Sequence, residues 1–235
     1  MTKSMKGAIR LYKTRRYEQA LEQLKALDMN PSDTPELSYY LGLCYTQLER
    51  YDEALLYLEQ VLTSSANLVQ IYQSRMILSY IYTITGRHRL AQFELEQLLD
   101  SGYESAQVYA ALGFVAFVLG MTDESLEYLQ KAITLDPHNA NALNSLGFIL
   151  AEKEIDPQGA LSYCKNAVQL KPENAAYLDS LGWAYYKNGK FEEAKSYLRK
   201  ALNLSGGNKD VASHMKTTLA AEAEAKRKQR RGPND

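Results

Sequence analysis

The stretch from Asn141 to Ala194, NALNSLGFILAEKEIDPQGALSYCKNAVQLKPENAAYLDSLGWAYYKNGKFEEA, contains a near-copy of its own first half. ALNSLGFIL aligns on YLDSLGWAY, which puts Leu146-Gly147 over Leu181-Gly182. A small residue follows each glycine, Ala160 after thirteen positions and Ala194 after twelve. Further marks come four and seven residues later, Cys164 and Ala167 in one copy, Leu198 and Ala201 in the other. Apolar residues recurring at three and four trace one face of an amphipathic helix, and a polar turn divides each copy in two. Each copy therefore reads as helix, turn, helix. Asp136-Pro137 and Lys171-Pro172 end the second helices, because a residue before proline is steered out of the helical region.

Working outward, the same frame recurs in both directions. Leu41-Gly42 is followed by Ala54, Leu58 and Val61, and Leu112-Gly113 by Ser125, Leu129 and Ala132. Two weaker copies carry Leu78, Ser79, Tyr82, Ala91, Leu95, Leu98 and Gly7, Ala8, Leu11, Ala20, Leu24, Leu27. Six units result, at about 1–34, 35–71, 72–105, 106–139, 140–174 and 175–208. The long second spacing places three extra residues around Ser64 to Asn67, and one more falls in the Lys153 to Gln158 turn, both between helices where insertions cost little. The glycine and the small residue mark where paired helices approach closely. One pair cannot bury its own stripe, so neighbours must stack into an all-α solenoid. After the last unit, Asp210 is expected to cap a closing helix at 209–225 that turns Val211, Met215 and Leu219 inward. A basic segment, 226–235, is expected to fray.

The chain has 235 residues with 46% hydrophobic and 23% charged, an ordinary globular balance, and a net charge of −1 that draws it to neither nucleic acid nor membrane. Its aromatics are lopsided, 18 Tyr against 5 Phe and 1 Trp, which suits half-buried surface where a ring packs and its hydroxyl stays wet. With no apolar leader at the start and no apolar run of membrane-spanning length, the expected location is the cytoplasm. Cys44 and Cys164 read as small buried hydrophobes, and His88, His138 and His214 lack neighbours at ligand spacing, so neither metal nor cofactor is expected. No phosphate-binding or nucleophile-elbow motif occurs, and the expectation is a non-enzyme with no small-molecule substrate.

These residues resemble the tetratricopeptide repeat family, W-x2-L-G-x2-Y…A-x3-F…A…P. The best copy reads Leu178, Leu181-Gly182, Tyr185, Ala194, Leu198, Ala201, with Gly206 where the family often has Pro. The tandem copies are similar to those common in bacterial proteins of the family. The resemblance implies a right-handed superhelical solenoid whose first helices line a concave groove that takes another protein's peptide or helix. Chaperone-binding members clamp a C-terminal carboxylate with Lys and Asn at set positions. Here the fifth and ninth positions are Met5/Ile9, Tyr39/Leu43, Met76/Tyr80, Ala110/Phe114, Asn144/Phe148 and Asp179/Trp183, so no Hsp70/Hsp90-type carboxylate-clamp partner is expected.

The candidate groove residues are Tyr39, Leu43, Met76, Tyr80, Phe114, Phe117, Asn144, Phe148, Trp183 and Tyr186. Facing the groove they would form an apolar ladder for a partner with apolar anchors; the alternative is that the rings pack between helices or under the cap. In the tail, Lys226, Arg227, Lys228, Arg230 and Arg231 could touch RNA or an anionic surface, or simply favour a helix C-terminus. The function expected is an adaptor or scaffold within a bacterial assembly. A structural subunit using convex or self-stacking contacts is the alternative, with RNA or anionic-surface association behind it.

Overall fold

The computed structural model describes residues 3–65 and 67–231. Among these the chain forms thirteen α-helices, one 3-10 turn and no strand. The helices are α1 (Lys3–Lys13), α2 (Tyr17–Lys25), α3 (Pro35–Gln47), α4 (Tyr51–Ser64), α5 (Leu68–Ile84), α6 (His88–Asp100), α7 (Ala106–Val118), α8 (Thr122–Leu135), α9 (Ala140–Glu152), α10 (Pro157–Leu170), α11 (Ala175–Lys187), α12 (Phe191–Leu204) and α13 (Lys209–Arg231). Two compact units divide the chain, Met1–Glu104 with α1 to α6 and Ser105–Asp235 with α7 to α13.

The glycines sit where the helices of a pair cross. A methyl group at Gly42 would stand 2.7 Å from Leu58 Cγ, at Gly113 2.5 Å from Leu129 Cγ, and at Gly182 2.7 Å from Leu198 Cγ. At Gly147 the partner atom is Cys164 Sγ, 2.5 Å away. The small residues of the frame, Ala20, Ala54, Ala91, Ser125, Ala160 and Ala194, are all fully buried. Ser125 keeps its hydroxyl satisfied by donating to the Gly113 carbonyl at 2.6 Å. The leucines four residues on, Leu58, Leu95, Leu129 and Leu198, have no exposed surface, each contributing about 1.5–3 kcal/mol by leaving water.

All six turns between paired helices close the same way. The amides of Arg16, Arg50, Arg87, Met121, Ile155 and Lys190 each donate to a carbonyl five residues back, at 2.7–3.1 Å. The residue before each donor has a left-handed backbone: Arg15, Glu49, Gly86, Gly120, Glu154 and Gly189. This is the Schellman closure, which satisfies carbonyls a helix end would otherwise orphan. Four first helices, α5, α7, α9 and α11, start on side-chain caps: Asn67, Ser105, Asn139 and Asn174 each accept from amides of the first turn.

Four expectations are corrected. The extra residues near Ser64 lengthen a helix rather than a loop: α5 has 17 residues where α3, α7, α9 and α11 have 13, one added turn starting at the Asn67 cap. Asn208, not Asp210, caps α13, its Oδ1 accepting from the Asp210 and Val211 amides at 2.8 and 3.3 Å. The buried face of α13 is Val211, Thr218 and Glu222, with Met215 beside it, while Leu219 is 48% exposed. At about 100° per residue, seven or eleven residues return nearly to the starting direction, whereas eight overshoot by about 80°. The helix also continues past 225 to Arg231, supported by Glu222–Lys226 and Glu224–Lys228 pairs one turn apart. Residues 232–235 lie outside the described residues.

Candidate partner-binding site

In the N-terminal unit, stacked first helices bring tyrosines together. A concavity of about 570 Å³ is lined by Tyr12, Tyr39, Tyr40, Leu43, Tyr72 and Met76, among others. Tyr12 meets Tyr40 edge-on at 6.0 Å, and Tyr39 meets Tyr40 at 5.3 Å. The Tyr39 hydroxyl donates to Gln73, and burial pushes its phenol up to about 12. Tyr39 and Leu43 are buried with their apolar surface against Val61, Met76 is half-buried, and Tyr80 projects with 54% of its surface exposed.

In the C-terminal unit, α7, α9, α11 and α13 wall a concavity of about 430 Å³. Phe114, Phe117 and Phe148 form its apolar side; Phe117 and Phe148 meet edge-on at 6.2 Å, and Phe114 is 44% exposed. Asn144 lines it too, and its Oδ1 is buried with no hydrogen-bond partner. Trp183 and Tyr186 do not line it. Trp183 is buried, stacked on His214 of α13 at 4.3 Å and packed on Tyr186 at 4.7 Å, with its indole N–H donating to Glu152 at 2.8 Å. The closing helix, which must cover the last apolar face, takes this ring for packing.

The opposite side of the concavity was not read from the sequence as a site. The His214 ring nitrogen Nδ1 lies 2.9 and 3.0 Å from the two Asp179 oxygens, and both residues line the space with Ser145, Ser180, Asp210 and Ser213. The signal was present: Asp179 occupies the frame position of Asn144, and His214 lies three residues after Val211 on the buried face of α13.

Cys44 and Cys164 are buried, and desolvation pushes both thiols up to about 12, so neither offers a reactive thiolate at neutral pH. Among the described residues no cluster of three or more His, Cys, Asp or Glu could hold a metal, and no helix is long and apolar enough to cross a membrane. In the basic segment Lys226 and Lys228 pair with Glu222 and Glu224, and Arg227 is exposed; the side chains of Arg230 and Arg231 lie outside the described residues.

Family models for the tetratricopeptide repeat match residues 5–68 and, in a second form, 106–139 and 175–208, together more than half of the chain. The chain belongs to the tetratricopeptide repeat family. Proteins of this family generally mediate protein–protein interactions and scaffolding, and the fold is typically a non-catalytic one. The chain is similar to the solved APC/C hetero-tetramer Cut9-Hcn1, at 22% identity and a TM-score of 0.77, over 92% of this chain but 42% of that one. It is similar to Pseudomonas aeruginosa pilF at 19% identity and a TM-score of 0.71, over 93% of this chain and 96% of that one. A third likeness is to YrrB, a tetratricopeptide repeat protein with an unusual peptide-binding site, at 21% identity and a TM-score of 0.54, over 86% and 97% of the two chains. At these identities the likeness shows the fold. The chain thus spans less than half the length of the Cut9-Hcn1 chain that it matches. No curated protein matches it.

Proposed function

We propose that this protein is a non-catalytic adaptor that grips a segment of another protein on the concave side of its repeats, within a bacterial multiprotein assembly. The observation that carries this reading is Phe114, a large ring left 44% exposed beside Phe117 and Phe148 at the mouth of a concavity. Water exclusion from such rings supplies much of the affinity at protein interfaces, where a few aromatic anchors dominate. That YrrB carries a peptide-binding site on the same architecture supports the reading. The test is capture from native cells with the tagged chain, quantified by mass spectrometry, against a Phe114→Ala/Phe117→Ala variant. Loss of specific partners with unchanged circular dichroism is expected; an unchanged partner list would remove the groove from consideration.

A second reading rests on a different surface. Two residues after the small residue of the frame, four units have polar side chains, Glu22, Glu127, Ser162 and Ser196, but two have Leu56 and Phe93. Both are exposed, at 55% and 51%, as is Leu90 at 47%. Exposed apolar side chains on α4 and α6 favour a structural role through contacts outside the groove. Leu56→Glu/Phe93→Glu would then abolish assembly and leave peptide capture intact.

A further inference from the structure

The concavity of the C-terminal unit has two chemically different sides, and the second narrows what it can hold. Its polar lining comprises the Asp179 and Asp210 carboxylates, Asn144, the hydroxyls of Ser145, Ser180 and Ser213, and the His214 ring, whose Nδ1 is already bonded to Asp179. No lysine or arginine lines it. The side-chain amide oxygen of Asn144 is buried without a donor, and a buried acceptor left unpaired is costly until something donates to it. Asp179 has a side chain only 13% exposed, and its hydrogen-bond partner is the His214 ring. A helix N-terminus could reverse this polarity by offering free amides to an anion. Both nearby N-termini are closed, α11 by Asn174 accepting from Ala176 and Tyr177, and α13 by Asn208 accepting from Asp210 and Val211. The Lys153 ammonium lies 5.6 Å from the Phe117 ring centroid, on the phenylalanine side, whereas on the carboxylate side no lysine or arginine accompanies Asp179, His214 and Asp210.

We propose that this concavity selects a cationic amphipathic segment of a partner protein, one in which an apolar side chain and a lysine or arginine lie within a few residues of each other. The apolar side chain packs against Phe114, Phe117 and Phe148. The cation sits against Asp179 and donates to the Asn144 oxygen, with Asp210 adding to the negative field. This rests on the groove reading above and specifies the chemistry of its occupant. An acidic segment is disfavoured, because each of its carboxylates would approach Asp179 and Asp210 with no lysine or arginine in the lining to meet it.

The test uses the full chain and three synthetic peptides of equal length, built from Leu and Lys, from Leu and Glu, and from Ser and Lys, with binding followed by fluorescence anisotropy. The Leu/Lys peptide is expected to bind, and to weaken about tenfold in Asp179→Asn and in Phe114→Ala, with a strong dependence on salt. Asp210→Asn, on the exposed first turn of α13, gives a second reading of the charge effect should Asp179→Asn disturb the packing of His214. Equal binding of Leu/Lys and Leu/Glu peptides, both lost in Phe114→Ala, would overturn the cationic selection and leave the groove standing. Equal binding of Ser/Lys and Leu/Lys peptides would overturn the amphipathic requirement, and binding unaffected by any of the variants would overturn the groove itself. Concentration-dependent self-association abolished by deleting residues 226–235 would identify the occupant as a second copy's basic segment, and would overturn the partner assignment.

Discussion

Glu49 stands in a left-handed backbone conformation, φ 57°, at a turn where Gly86, Gly120 and Gly189 hold the equivalent places. A side chain costs about 1–2 kcal/mol there, and glycine returns about 0.5–1 kcal/mol of that in unfolded-state entropy. Glu49→Gly should therefore stabilise the fold by about 0.5–1 kcal/mol, read as a higher urea midpoint. At the helix crossings the sign reverses. Gly113→Ala places a methyl 2.5 Å from Leu129 Cγ and should cost about 1–3 kcal/mol, lowering the melting temperature by about 2–4 °C for each. Gly7→Ala meets the Gln23 amide nitrogen at 2.9 Å, the end of a flexible chain, and should be neutral or stabilising. The crossings were legible in the sequence because the two contacting residues keep a fixed separation along the chain, as Gly113 and Leu129 do. Glu49 was not, because any residue tolerates the turn at modest cost once the Arg50 amide reaches the Tyr45 carbonyl.

At the scale of elements, the last helix is where reading and structure diverge most. Its Glu222 accepts from Lys195 of α12 and from Lys226, and these bonds hold its carboxyl down at about 2. In the unfolded chain the same group titrates near its ordinary value of about 4.3. The folded form thus binds this proton less readily, so the stabilisation is complete above about pH 5 and is lost as pH falls through 4 toward 2. Trp183, the only tryptophan, lies under α13 and reports its docking. An acid titration of its fluorescence should show release of α13, and Glu222→Gln should remove the part of the transition between about pH 4 and 2. A polar face built from Thr218 and Glu222 hides from any search for apolar residues spaced by four. The longer α5 was missed for a related reason: the frame counts residues between marks, and an added helical turn and an added loop look alike in that count.

At the scale of the molecule, each compact unit holds together through its own internal contacts. The C-terminal unit begins on its own cap, Ser105, whose hydroxyl accepts from Val108, and ends on its own closing helix. The fragment 105–235 should therefore unfold cooperatively on its own, by circular dichroism and urea. The fragment 1–104 ends on α6 with no closing helix, and should show a lower midpoint or no cooperative transition. The candidate site divides in the same manner. Its phenylalanines were legible because they recur at one frame position; its acidic side was not, because Asp179 and His214 meet only when α13 folds back on α11.

That fold-back is typical of the chain's architecture: within each unit, helices pack against those one or two places away, as α7 on α9, α9 on α11 and α11 on α13. Even its longer side-chain bonds span little more than one repeat, 36 residues from Asn141 to Tyr177 and 35 from Asp179 to His214. Closing such short loops costs little time, so folding should be fast and should keep pace with synthesis, each pair within a unit docking on the one made just before it. The order has a cost at the end of translation. Until α13 emerges, Trp183 and the face around it stand open to water, so a chain stalled near residue 208 would present chaperones and proteases with the apolar surface that the finished protein hides.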